Sequence, residues 1–167
     1  MGGSNYYNSI AEGYNMLHEK EQENKLSIIL NEINIKKKDK LLDVGCATGN
    51  SFKSINCDCY GIDPSIRLLE KCQKKVRLYL GRAEDLPFPD NYFDIVISIT
   101  AIHNFANVKA GIKEMKRVGK SIFAFSVLKK SKKFAFIEKT IIKNFNIINT
   151  VDEGVDKIYI ASGKKYL

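Results

Sequence analysis

The 167-residue sequence contains no tryptophan, three prolines and two histidines, and it has no apolar run near the roughly 20 residues of a membrane-spanning helix. It also lacks, at its amino terminus, the basic segment and apolar stretch of a secretory signal. We therefore expect a cytoplasmic protein with no membrane span. The length suits one domain with a single core, so we expect residues 1–167 to form one domain.

Arginine is scarce, because 23 of the 27 basic residues are lysines, and the net charge is +8. A positive surface attracts phosphate-rich partners such as RNA. The densest basic cluster comprises Lys129, Lys130, Lys132 and Lys133. Arginine is the residue best suited to bidentate phosphate contacts, however, and its scarcity weakens this interpretation. Nucleic-acid binding and a merely lysine-rich composition both stay open.

The four cysteines, Cys46, Cys57, Cys59 and Cys72, fall in one third of the chain. In a cytoplasmic protein such residues are expected to be reduced thiols rather than a disulfide framework. Cys57 and Cys59 do not have the spacing of a zinc knuckle, and no histidine is near them in sequence. We predict no metal site.

Helical and strand patterns alternate along the chain, which favours a parallel sheet. Strands are predicted at 40–44, 59–63, 76–81, 93–99, 121–128 and as a pair within 146–162, and helices at 24–35, 64–76, 107–118 and 133–145. A turn around Glu153 and Gly154 joins the last two strands. The predicted fold is α/β and Rossmann-like, with a doubly wound, seven-stranded sheet that is mostly parallel and has its last strand antiparallel.

The stretch LLDVGCATGN, residues 41–50, predicts a strand that ends in a ligand-binding loop. Gly45 and Gly49 permit close backbone approach, and Asp63 follows Asp43 at the distance typical of a ribose-binding carboxylate. A pyrophosphate would be repelled by Asp43, and the dinucleotide fingerprint G-x-G-x-x-G is not met. S-adenosylmethionine has no phosphate and carries positive charge, so a carboxylate stabilises it. The loop therefore favours this cofactor over a dinucleotide.

Four motifs in order strengthen this interpretation: LLDVGCATG, YGIDPS, GRAEDLPFPDNYFDIVIS, and AIHNF followed by GIKEMKRV. Together they resemble the class I S-adenosylmethionine-dependent methyltransferases, particularly the small-domain group similar to the ubiquinone and menaquinone C-methyltransferases. The resemblance covers nearly the whole chain. It implies methyl transfer from S-adenosylmethionine to an acceptor.

The resemblance also implies where the cofactor is held. Residues expected around its methionine, ribose and adenine parts are Asp43, Gly45, Cys46, Gly49, Asp63, Pro64, Ile66, Ala83, Glu84 and Ile99. Residues 1–23 resemble a tyrosine-rich lid, in which Tyr7 and Tyr14 would cover the sulfonium. Two positions depart from the family pattern: Ala47 replaces the middle glycine of the loop, and Arg82 stands where many relatives have an aspartate that reaches the adenine.

His103, just beyond the fourth strand, is the candidate catalytic residue. Methyl transfer from a sulfonium is a direct displacement, so the protein mainly aligns the acceptor and excludes water. Some acceptors also need a base, and an imidazole accepts a proton near neutral pH. The alternative is that His103 is a polar loop residue or a substrate contact without a proton role.

The acceptor is open. The fourth strand ends in SITAIH, which lacks the signature of methyltransferases that act on exocyclic or amide nitrogen, and no cysteine is there for a covalent cytosine mechanism. Oxygen, sulfur, carbon and amine acceptors remain, on small molecules, RNA or protein. The short lid suggests an open site for a large substrate such as tRNA, or an accessory subunit. A nicotinamide-dependent oxidoreductase and a non-catalytic methyltransferase-fold subunit are the rival functions.

Overall fold

A computed structural model describes the backbone of residues 3–163 and the side chains of residues 16–163. Seven strands are present: β1 (Lys40–Val44), β2 (Asp58–Asp63), β3 (Arg77–Leu80), β4 (Phe93–Ile99), β5 (Gly119–Leu128), β6 (Phe145–Asp152) and β7 (Asp156–Gly163). Four α-helices accompany them: α1 (Gly3–Glu32), α2 (Ile66–Leu69), α3 (Val108–Val118) and α4 (Phe134–Asn144). Two 3-10 turns, Asn50–Ser54 and Ile102–Asn104, follow β1 and β4.

The strands form a single sheet in the order β3-β2-β1-β4-β5-β7-β6. The first five strands in this order, β3, β2, β1, β4 and β5, pair in parallel. β7 pairs antiparallel with both β5 and β6. The predicted fold class, with its antiparallel last strand, is confirmed. β4 lies in the middle of the sheet, as its continuous apolar sequence FDIVISI suggests for a strand covered on both faces.

The sheet buries apolar residues on both faces because successive strand residues point to opposite sides. Leu42 and Val96 belong to the cluster under α3 and α4, and Leu41 and Ile95 belong to the cluster under α1. α3 contributes an apolar stripe at helical spacing, made of Val108, Ile112, Met115 and Val118. Its first turn is capped by the side chain of Asn107, which accepts a hydrogen bond from the Ala110 amide at 3.0 Å.

α1 is longer than the predicted helix at 24–35, because it also includes most of the segment interpreted as a lid. Its carboxyl half is fixed by Leu26 and Ile29, and Ile33 directly after it packs on the sheet with them. Among residues 3–163, no helix combines the length and the apolar character that a bilayer crossing requires.

α2 is much shorter than the predicted helix at 64–76, and that prediction is wrong. Leu69 is its one buried side chain, and the following residues 70–75 are mostly exposed and polar, so no apolar face supports further turns. Lys74 instead donates hydrogen bonds to the carbonyls of Phe52 and Ile55, the latter at 2.7 Å. These contacts hold the segment against the turn that follows β1.

Arg117, at the end of α3, fixes the loop between β3 and β4. Its guanidinium donates to the carbonyls of Leu86 and Phe88 at 2.9 and 2.8 Å and to the carboxylates of Asp90 and Glu114 at 2.7–2.8 Å. Hydrogen bonds from Arg117 lower the pKa of Glu114. One planar side chain therefore satisfies several groups of a loop that has no regular secondary structure of its own.

Replacing Arg117 with lysine is expected to lower the free energy of unfolding by about 1–3 kcal/mol, because an ammonium keeps the charge but cannot span the same partners. Urea denaturation followed by circular dichroism measures the loss. Arg67→Lys is the matched control: Arg67 is exposed on α2, and its replacement should change stability by less than about 0.5 kcal/mol. Equal midpoints for the two variants would contradict the role of Arg117.

Candidate functional site

A cavity of about 1180 Å³ lies at the carboxyl ends of β1, β2 and β4. Ligand crevices of doubly wound sheets occupy this edge because the loops that follow parallel strands meet there. Three loops that follow β1, β2 and β3, at 45–49, 63–65 and 82–86, all contribute to the wall. The 3-10 turn after β4 and the carboxyl half of α1 complete it.

The glycine loop follows a path that only small residues adopt readily. Gly45, Ala47 and Gly49 have φ values of 79°, 49° and 74°. A Cβ added to Gly45 would lie 2.5 Å from the Cβ of Ala101, so Gly45 lets β1 and the turn after β4 approach closely. Ala47 takes the left-handed conformation with a side chain, which shows that the alanine at the family's middle glycine position is compatible with the turn.

Asp63, at the end of β2, links the glycine loop to the loop that follows it. Its Oδ2 accepts a hydrogen bond from the Ala47 amide at 3.0 Å, and its Oδ1 accepts one from the Ser65 amide at 2.9 Å. Each carboxylate oxygen retains a lone pair for a further donor. Asp63 lines the cavity with 7% of its surface exposed, so its position is fixed before any ligand arrives.

Asp43, two residues before Gly45, is a buried carboxylate of the cavity wall with a strongly raised pKa. Burial, opposed by a hydrogen bond from Ser51 and reinforced by the negative charge of Asp63, raises its pKa to about 7. Ser51 Oγ donates to Oδ2 at 2.5 Å, whereas Oδ1 has no hydrogen-bond partner among the described residues. An unpaired carboxylate oxygen beside a glycine turn fits a positively charged group and disfavours a phosphate.

The adenine side of the cavity, as the sequence predicts it, is formed by the loop after β3. Ala83 is buried there, and Glu84 accepts a hydrogen bond from the Asn107 amide at 3.0 Å, which ties this loop to the start of α3. Arg82 is exposed, and its Nε lies 3.7 Å from Oε2 of Glu84, so the charge of each side chain is partly neutralised by the other. Leu68 of α2 also lines the cavity.

The structure brings most of the predicted site residues together. Those that line the cavity are Asp43, Gly45, Cys46, Asp63, Pro64, Ala83, Glu84, Ile99 and His103. Gly49 packs beneath the loop against Cys72 and Phe52, and Ile66 is about half exposed on α2, so neither belongs to the wall. The side chains of Tyr7 and Tyr14 lie outside the described residues.

Two buried charged residues near the cavity were missed from the sequence. Lys25 and Asp156 form an ion pair at 3.2 Å with side-chain exposures of 1% and 0%. Each occupies an apolar series: Lys25 is in helical phase with Ile29 and Ile33, and Asp156 is in strand phase with Ile158 and Ile160. The signal that could have revealed the pair is that a lysine and an aspartate each stand at an otherwise apolar position, one in a helix and one in a strand.

The chain is similar to known methyltransferases. A family model described as a methyltransferase domain matches residues 42–122. An uncharacterised protein of Methanocaldococcus jannaschii is 34% identical over 134 residues, which cover 76% of this chain and 52% of that protein. A demethylmenaquinone methyltransferase of Symbiobacterium thermophilum is 35% identical over 112 residues, which cover 58% and 45%.

The fold is shared with solved structures. A SAM-dependent methyltransferase from Aquifex aeolicus aligns with a TM-score of 0.69 over 83% of this chain and 89% of that chain, at 19% sequence identity. The chain spans about half the length of the curated relatives it matches. The matched segment, residues 42–122, contains the glycine loop, Asp63 and the loop after β3.

Proposed function

We propose that this chain is a class I S-adenosylmethionine-dependent methyltransferase, which binds S-adenosylmethionine in the cavity and transfers the methyl group to an acceptor. The observation that carries the proposal is the pair of carboxylates around the glycine loop. Asp63 is held by the Ala47 and Ser65 amides, and Asp43 has an unpaired buried oxygen. This arrangement suits a ribose and a cation, which the proposed cofactor combines.

The proposed contacts follow from the geometry. Asp63 would accept hydrogen bonds from the ribose hydroxyls, and Asp43 would face the cationic methionine part across the turn at Gly45 and Cys46. Residues proposed around the adenine and the sulfonium are Pro64, Ala83, Glu84 and Ile99, with Gly49 shaping the turn from below. For Ile66, Tyr7 and Tyr14 the proposal rests on the family resemblance alone. When bound, the cofactor supplies an electrophilic methyl carbon on a cationic sulfur.

The chain itself positions the acceptor and limits water. His18, Gln22 and Leu26 of α1 line the cavity, so the helix would help to shield a bound cofactor from water. His103 also lines the cavity and is the proposed proton acceptor. Alignment and desolvation of this kind supply much of the rate enhancement in a direct displacement.

Calorimetry with S-adenosylmethionine tests the binding site. Asp63→Asn is expected to weaken binding about 10- to 100-fold, because charge-assisted hydrogen bonds contribute about 1.5–3 kcal/mol. Asp58→Asn is the matched control: Asp58 begins the same strand at the opposite edge of the sheet and pairs with Arg77, so cofactor affinity should not change. If both substitutions changed the affinity for S-adenosylmethionine equally, Asp63 would not be part of the binding site.

Transfer itself is tested with methyl-tritiated S-adenosylmethionine and an extract of the source organism, separated into small-molecule, RNA and protein fractions. The proposal expects label in one fraction with the wild-type chain and little with Asp63→Asn. Cofactor binding without any transfer would instead support a non-catalytic subunit, or a chain that requires an accessory subunit. An absence of binding would contradict the proposed function altogether.

The lysine cluster after β5 gives limited support to an RNA acceptor. Lys129 pairs with Asp152 at 2.6 Å, and Lys133 donates hydrogen bonds to the carbonyls of His103 and Phe105 at 3.0 and 3.1 Å. Two of the four lysines therefore have partners within the protein. The small-molecule fraction is accordingly where we expect the label first.

A further inference from the structure

A pair of thiols lies outside the cavity, where β2 begins. Cys57 directly precedes β2, and Cys59 is the second residue of this strand. Both are free thiols, and their sulfur atoms are 3.8 Å apart, at the distance of an S–H···S contact. Neither residue lines the cavity. The proposed cofactor site therefore gives no role to this contact.

The spacing of the two cysteines places both thiols on one side of the strand. Side chains two residues apart in a strand point to the same face. Two steps along a strand advance the chain by about 6.5 Å, which is within the Cα separations of about 4.4–6.8 Å that a disulfide bridges. The sulfur atoms are already in contact, so rotation about the side-chain bonds can bring them to bonding distance.

The two thiols differ in their access to solvent. Cys57 is half-buried, whereas Cys59 is 4% exposed and packs in the apolar cluster under α1. An external reagent therefore reaches the sulfur of Cys57 first, and the sulfur of Cys59 lies next to it inside the protein. A redox-active pair works in this way, because one thiol meets the reagent and the other resolves the adduct.

A nearby lysine favours the ionised form of the pair. The hydrogen bond from Cys57 lowers the pKa of Cys59, burial opposes this effect, and the ammonium of Lys74 lowers the pKa further. The same hydrogen bond, burial and nearby negative charges raise the pKa of Cys57. The pair therefore releases one proton and retains the other between its sulfur atoms. The thiolate is the form that attacks a disulfide.

Backbone contacts hold Lys74 in place beside the thiols. Its ammonium donates hydrogen bonds to the carbonyls of Phe52 and Ile55, the latter at 2.7 Å, and Ile55 precedes Cys57 by two residues. Cys72 has a different environment, although it is also half-buried: its thiol donates to the carbonyl of Lys74 at 3.6 Å rather than to another thiol. Cys72 is therefore an internal reference for the reactivity of the pair.

We propose that Cys57 and Cys59 form a redox-active dithiol, which a small-molecule disulfide such as oxidised glutathione converts reversibly into an intramolecular disulfide. Lys74 promotes the reaction because its charge stabilises the thiolate. In a reducing compartment the bond is transient, as is usual for disulfides there. The dithiol needs no bound cofactor, so this inference is independent of the proposed function.

The exchange consists of two displacements. The Cys57 thiolate attacks one sulfur of the small disulfide, whose S–S bond breaks, and the departing thiolate takes the proton of Cys59. The Cys59 thiolate then attacks the sulfur of Cys57 and releases the second small thiolate, which takes a proton from water. The two cysteines together lose two electrons and two protons, and the small disulfide is reduced to two thiols. Excess thiol reverses both steps.

Peptide mass spectrometry tests the site in the intact, folded chain. The chain is incubated with oxidised glutathione, its remaining thiols are trapped with N-ethylmaleimide, and it is then digested with trypsin. Cleavage after Lys53 and Arg67 gives a peptide that contains Cys57 and Cys59 and no other cysteine. We expect this peptide to escape trapping and to be lighter by two hydrogen atoms, and dithiothreitol to restore both thiols.

Three results would overturn the proposal: two unmodified thiols in this peptide, a separate glutathione adduct on each of them, or a disulfide to Cys46 or Cys72. Cys59→Ala removes the resolving thiol, so a glutathione adduct should accumulate on Cys57. Cys72→Ser is the matched control, which removes another thiol and should leave formation of the internal disulfide unchanged. Loss of the disulfide in Cys72→Ser would equally contradict the assignment of the pair.

The role of Lys74 is tested without any change to the thiols. Lys74→Met should slow oxidation of the pair near pH 7 about 3- to 10-fold, because the thiolate fraction falls. The difference should shrink at higher pH, where the thiolate forms without help. Lys75→Met is the matched control, since it removes the charge of an adjacent exposed lysine and should keep the wild-type rate. Equal rates in the two variants would overturn the activation by Lys74.

Discussion

Gly45→Ala is expected to reduce affinity for S-adenosylmethionine at least 100-fold and to lower the free energy of unfolding by about 2–4 kcal/mol. Two effects combine. An alanine at φ 79° adopts the left-handed conformation at a cost of about 1–2 kcal/mol. Its Cβ would also lie 2.5 Å from the Cβ of Ala101, so the turn after β4 must move away from the glycine loop. Calorimetry and urea denaturation measure the two losses.

Gly154→Ala separates these effects. Gly154 has a φ of 106° in the turn between β6 and β7, and an added Cβ there has nothing within 4 Å. This variant carries only the conformational cost, about 1 kcal/mol, and should bind the cofactor normally. If Gly45→Ala bound the cofactor as well as Gly154→Ala does, the close approach of β1 and the turn after β4 would not be part of the site.

Asp43→Asn is expected to stabilise the free protein and to weaken cofactor binding. In the folded chain the pKa of Asp43 is raised from 3.8 to about 7, chiefly by burial. The folded state therefore keeps a proton that the unfolded state releases, and stability falls as pH rises from about 4 to about 7. Asparagine has no such penalty. Near pH 8 the variant should be more stable by about 2–4 kcal/mol, and near pH 4 the difference should vanish.

The same residue should couple cofactor binding to proton release. A cation beside Asp43 favours its ionised form, so the wild-type chain should release protons on binding near pH 7. Calorimetry in two buffers with different ionisation enthalpies measures this release, which Asp43→Asn should lack. Ser51→Ala removes the hydrogen bond that lowers the pKa of Asp43 and should shift the release to higher pH. An identical proton balance in all three proteins would contradict the role of Asp43.

The strands were predicted well because their signals are local. β1 and β4 have the predicted bounds, and both consist of short apolar runs next to loop residues. α2 was predicted poorly because its end depends on distant contacts. The proline at 64 and the following leucines suggest a longer helix, but Lys74 binds carbonyls of the turn after β1 instead. The periodicity of apolar residues along a helix gives no information about such a tertiary contact.

The sequence predicts the candidate site where a residue type has a common role and stands at a typical distance along the chain from the glycine loop. Asp43, Gly45 and Asp63 line one cavity because the glycine loop and the end of β2 are neighbours in the sheet. Lys25 and Asp156 were not predictable in the same way, since they are 131 positions apart and meet only through the antiparallel β7. Ile66 does not line the cavity, because the short α2 leaves it about half exposed, and its contact with the cofactor stays a prediction.

The hydrogen bond between the Ala47 amide and Asp63 has a consequence for ligand selection in a mixture of nucleotides. A backbone N–H in a glycine turn is the donor that binds phosphate oxygens in nucleotide-binding proteins. Here the protein's own carboxylate already occupies this donor, and a second carboxylate, Asp43, lies at the base of the same turn. We therefore expect adenine nucleotides to compete poorly for this cavity, although they share the adenosine part of the proposed cofactor. Such discrimination would already be present in the free protein and would require no steric exclusion.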